Sequence, residues 1–94
     1  MRAVLLLRDK KTQANGSVVE MVVWKLPSPT PDRPHGLKYR FFCGREDQCL
    51  VLYDNETGKG DHRHFKGIEE PYRFTSVDRL IGDFLRDVES VSGG

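Results

Sequence analysis

The sequence predicts an α+β fold, a four-stranded antiparallel β-meander with a C-terminal amphipathic helix packed on one face. Three observations predict it. Four apolar, β-rich segments follow one another with only turn signals or a proline-rich stretch between them. One stretch near the C-terminus repeats its apolar residues at helical spacing. The chain of 94 residues is near the modal size of one domain, so residues 1–94 are expected to share one modest core.

The first strand is residues 3–7, a run of alanine, valine and leucine. Residues 10–16 read as a turn because they close on Asn15-Gly16, which accepts positive φ cheaply. Residues 17–26 form the longest strand. Val18, Val22, Trp24 and Leu26 lie on one face, with Val19, Met21 and Val23 on the other, so a central strand covered on both sides is expected. Trp24 is assigned to the core, with base stacking as the secondary reading.

Four prolines in residues 27–34 cannot join a sheet ladder and make an extended connection, which ends in His35-Gly36. The third strand, residues 37–43, alternates Leu37, Tyr39, Phe41 and Cys43 with Lys38, Arg40 and Phe42. That second face, basic with an aromatic among the charges, is suited to track a phosphate backbone and stack a base, or is simply solvated. A turn at residues 44–48 leads to the fourth strand, residues 49–53, and then to a polar segment, residues 54–67. Residues 71–74 read as a short extended piece. Thr75 or Ser76 can cap a helix whose apolar stripe is Val77, Leu80, Ile81, Phe84, Leu85 and Val88, with Asp78 in the first turn.

One helix covers part of one sheet face, whereas several strands look apolar on both. The surplus predicts a partner, either a second copy in a homodimer or another protein. The longest N-terminal apolar run is five residues, far short of the roughly 18–20 that span a bilayer, so neither secretion nor membrane insertion is expected. Cys43 and Cys49 flank a turn and could pair or bind a metal. With no secretory signal, two reduced thiols are the expectation. The net charge of +1 hides an asymmetry: residues 1–45 carry nine Lys/Arg against three Asp/Glu, and residues 46–94 six against eleven. One half suits a polyanion and the other a basic partner, unless the two neutralise each other within the fold.

Residues 53–64 hold the chemistry: Tyr53, Asp54, Asn55, Glu56, Thr57, Gly58, Lys59, Gly60, Asp61, His62, Arg63 and His64. Metal-free RNA cleavage needs a base for the 2′-OH, an acid for the leaving oxygen and cations for the phosphate. Histidine suits the first two tasks near neutral pH. His62 and His64 are assigned these roles, with Lys59 and Arg63 stabilising charge, Asp61 or Asp54 orienting an imidazole and Tyr72-Arg73 completing the site. The amides of residues 58–60 could form a phosphate nest. A metal at His62 and His64, with Asp61, Asp54 or His35 as third ligand, is a second reading. A third is a polar turn in which Asp54 and Asn55 hold the backbone. Glu69-Glu70 reads as an exposed turn, with a carboxylate base as the minor alternative.

The segments at residues 3–9, 19–27, 34–40, 53–64 and 70–74 together resemble the TumE-type toxins of bacterial toxin–antitoxin pairs, and residues 54–64 are the most specific of them. The resemblance implies a cytoplasmic toxin paired with a helix-turn-helix antitoxin protein, and points to RNA or translation as its target. A non-catalytic binding module that uses the basic strand face and the apolar face is the competing expectation.

Overall fold

A computed structural model describes residues 2–56 and 60–92. Its architecture is α+β, a single antiparallel sheet with one C-terminal helix, but the sheet has six strands rather than four. The strands are β1 (Val4–Thr12), β2 (Val18–Lys25), β3 (Leu37–Arg45), β4 (Gln48–Asp54), β5 (His62–Phe65) and β6 (Ile68–Pro71), followed by α1 (Val77–Ser92). Their spatial order is the order of sequence, β1 to β6, so every connection is local.

The added hairpin, β5–β6, arises inside the segment expected to be an irregular loop. Each strand is only four residues long and mostly polar, which hides the alternation. Lys66-Gly67, both at positive φ, form the two-residue turn between them. The turn between β3 and β4 has the same length but less suitable residues: Glu46 at φ 51° and Asp47 at φ 64° both occupy left-handed space that disfavours side chains.

Helix α1 starts at Ser76, whose Oγ accepts the Arg79 amide at 3.1 Å. It lays Leu80, Phe84 and Val88 on the sheet against Val19, Val23, Tyr39, Phe41, Cys43, Val51 and Tyr53. Phe84 sits edge-on to both Phe41 and Tyr53. Leu85, expected in the stripe, instead lies exposed.

Only this face of the sheet is covered. Strand β2 is interior to the sheet, but Val18, Val22 and Trp24 on its other face are half-buried, so Trp24 is not a core residue. Val4, Leu5 and Leu6 of edge strand β1 are exposed, which gives the surplus apolar surface a location. Cys43 is buried, Cys49 exposed, and both are free thiols. On the uncovered face the Phe42 ring lies over Gly44, where a Cβ would come within 2.8 Å of both that ring and the Gln48 carbonyl. Among the described residues no helix is long and apolar enough to cross a membrane.

Replacing Glu46-Asp47 by Asn-Gly removes two left-handed side-chain penalties and should stabilise the fold by about 1 kcal/mol. A urea midpoint that stays put or falls would contradict the turn assignment.

Candidate functional site

Residues directly opposite one another in a sheet project to the same face. Strand β5 pairs Asp54 with His62, Tyr53 with Arg63, Leu52 with His64 and Val51 with Phe65. Tyr53 and Val51 belong to the core beneath α1. Arg63 and Phe65 therefore face the helix, and His62 and His64 face the uncovered side. Continuing the pairing across the sheet gives two rows on that uncovered face. One runs Arg8, Val22, Arg40, Asp54, His62 and Pro71; the other runs Lys10, Glu20, Phe42, Leu52, His64 and Glu69.

The two histidines converge on one carboxylate. Glu69 Oε2 lies 3.7 Å from His62 Nε2 and 3.5 Å from His64 Nε2. His62 is buried and fixed at both nitrogens, with Nδ1 3.1 Å from the Gly60 carbonyl and Nε2 2.5 Å from Asp54 Oδ1. A carbonyl can only accept, so Nδ1 is the donor of that bond, and Nε2 is the nitrogen turned to Asp54. Asp54 thus lies against the His62 imidazole. His64 has no such clamp, and its side chain and that of Glu69 are 38% and 45% exposed. They are the pair a substrate can reach. A cavity of about 290 Å³ lined by Asp61, His62, Glu69, Glu70 and Pro71 opens beside them.

Several expected site residues lie elsewhere. Arg63, assigned to phosphate charge, is on the helix side. Its Nε donates to Asp87 Oδ2 at 2.7 Å and to the Tyr53 hydroxyl at 2.9 Å, and its Nη1 pairs with Glu70. The Asp87 carboxylate, foremost among these partners, pushes the guanidinium pKa up further. Tyr72 likewise turns to the helix, donating to Asp83 Oδ2 at 2.6 Å, and Arg73 is exposed beside it. Asp61, expected to orient a site imidazole, accepts on Oδ2 from Tyr39 Oη at 2.7 Å and His35 Nε2 at 2.9 Å. His35 also accepts the Leu37 amide at Nδ1, which fixes its neutral Nε2–H tautomer. Its ring packs tilted against Phe74. Lys59 and the amide nest around it lie outside the described residues.

The expected binding face is continuous with the histidine site. Lys38, Arg40 and Phe42 share the uncovered side, and the Arg40 guanidinium sits 4.9 Å from the Phe42 ring centroid. Asn55 matches the backbone-holding role. Its Oδ1 accepts the Tyr39 amide and its Nδ2 donates to the Leu37 carbonyl, pinning the end of β4 to the start of β3. Among the described residues no group of three or more His, Cys, Asp or Glu is arranged to hold a metal ion. Glu69 is the one central residue undervalued in the sequence. Its signal was the Lys66-Gly67 turn, which sets Glu69 opposite His64.

A protein-family model described as toxin TumE matches residues 4–92 of the chain. No curated protein and no solved structure matches it.

Burial, and then hydrogen bonding to Asp61 and Asp87 respectively, pushes the Tyr39 and Tyr53 hydroxyls well above the usual tyrosine pKa near 10. The unfolded chain therefore releases these protons first. The stability they confer is intact below about pH 10 and is lost as pH rises beyond it. Melting followed by circular dichroism should be nearly flat to about pH 9, then fall with a slope approaching about 2.7 kcal/mol per pH unit for the two groups. A melting temperature unchanged to about pH 11 would contradict their burial.

Proposed function

We propose that this chain, which belongs to the TumE toxin family, is a cytoplasmic endoribonuclease whose acid–base pair is Glu69 and His64. The observation that carries the reading is the position of Glu69 Oε2 within 3.7 Å of both imidazole Nε2 atoms, on the sheet face that also bears Lys38, Arg40 and Phe42. Glu69 takes the 2′-OH proton as the oxygen attacks phosphorus. His64 gives a proton to the departing 5′ oxygen, leaving a 2′,3′-cyclic phosphate and a free 5′-hydroxyl.

His62 is a positioning residue in this scheme. Clamped by Asp54 and Gly60, it holds the Glu69 carboxylate at the reacting position without needing to touch substrate. Asp54 acts through His62. Arg40 and Lys38 supply charge to the phosphate in place of Arg63, which Asp87 and Glu70 retain. The family's toxin name supports an antitoxin partner, and the exposed apolar start of β1 offers that partner a strand edge.

A non-catalytic mode of toxicity, in which the same face occupies a target, is separated by turnover. Purified protein should cleave total RNA at substoichiometric amounts, and chelator should leave cleavage intact. His64→Ala and Glu69→Gln should each lower the rate by about 100-fold or more while leaving the circular dichroism spectrum unchanged. His62→Ala should lower it less. Full activity in both His64→Ala and Glu69→Gln overturns the assignment, and absence of cleavage at equimolar protein favours a binder.

A further inference from the structure

We infer that the uncovered sheet face is a platform for single-stranded RNA, with the Arg40–Phe42 pair stacking the base of a nucleotide adjacent to the one held at His64. This rests on the ribonuclease reading for the meaning of His64, but the platform itself is carried by separate observations.

The first is charge. On strands β1 to β3 the uncovered face presents Arg8, Lys10, Lys38 and Arg40 against one carboxylate, Glu20. Among the described residues the Lys38 ammonium has no ion-pair partner, and Arg40 is half exposed, with its single pair to Glu20 at 3.3 Å. The acidic residues of α1 lie on the other side of the sheet, and on the uncovered face Asp54 and Glu69 stand at the β4–β6 end, away from β1 and β2. A polyanion is the complementary occupant.

The second is the aromatic surface. Phe42 leans over Gly44, where the missing side chain leaves space, and a depression of about 440 Å³ opens there, lined in part by Val18, Phe42, Gly44 and Cys49. Arg40 lies over the same ring, so a planar cation and an aromatic sit side by side on the face. A second depression of about 390 Å³ adjoins the pair, lined by the cations Arg33, Lys38 and Arg40 and by the carboxylates Asp54 and Glu56.

The third is spacing. Phe42, Leu52 and His64 are successive members of one cross-strand row, so Phe42 and His64 are about 10 Å apart, two strand spacings, within reach of neighbouring nucleotides. The face is a sheet surface that can meet exposed bases, whereas an A-form duplex hides its bases from stacking. A single strand alone offers base, phosphate and reacting 2′-OH together.

The test is fluorescence anisotropy with a short fluorescein-labelled 2′-O-methyl RNA, which binds without being cut, in single-stranded and hairpin duplex forms. Wild-type protein should prefer the single strand by about tenfold or more. Phe42→Leu, which keeps apolar volume, and Arg40→Gln should each weaken single-strand binding about tenfold. Lys38→Ala should reduce the slope of log affinity against log salt by about 0.7. Equal affinity for duplex, or undiminished binding by both Phe42→Leu and Arg40→Gln, overturns the platform even if cleavage persists. Binding as predicted with no cleavage under any condition sustains the platform and removes the nuclease.

Discussion

The fold turns on the tie between Arg63 and Asp87. Side chains alternate along a strand, so committing one residue of β5 to the helix side commits its neighbours to the other. Arg63 reaches Asp87 and the Tyr53 hydroxyl beneath α1, and Phe65 lies alongside it under the same guanidinium. His62 and His64 then have no choice but the uncovered face. A slip of one residue would bury both imidazoles against Tyr53 and Val51 and strand a guanidinium in solvent. Register here is fixed by a partly buried ion pair, because a four-residue polar strand has too little apolar patterning to fix itself.

That division of labour runs through the molecule. On the helix side, polar groups are satisfied internally: Tyr53 donates to Asp87, Tyr72 to Asp83, and Tyr39 to Asp61. The first two couple the helix to the sheet and make Asp83 and Asp87 structural. On the other side, Glu69 and His64 remain open to water. Asp54, His62, Glu69 and His64 form a graded series from buried and locked to exposed and reachable. Such a series holds a reactive pair in place without sealing it.

Much of this was legible in the residues. The helix was announced by Leu80, Ile81, Phe84 and Val88 and by its serine cap, and β3 by its alternation. The uncovered basic face followed from Lys38, Arg40 and Phe42. The hairpin β5–β6 was hidden because His-Arg-His-Phe and Ile-Glu-Glu-Pro carry none of the β-branched or apolar alternation that marks a strand; tertiary pairing overrides that weak local preference. The opposed roles of neighbours followed from the same gap. Read as a loop, residues 61–64 could converge on one site. As a strand edge, they split, with Arg63 going to the helix and Asp61 to His35 and Tyr39. Trp24 is expected in the core because both faces of its strand are apolar, and one helix is too narrow to cover it.

The facing of β5 is the claim on which the rest stands, and nuclear Overhauser contacts in solution read it directly. The Arg63 methylenes should contact the Tyr53 and Phe65 rings, and the His64 ring should contact the Leu52 methyls and the Glu69 side chain. Contacts from His64 to the Tyr53 or Phe84 ring, with Arg63 free in solvent, would contradict the account.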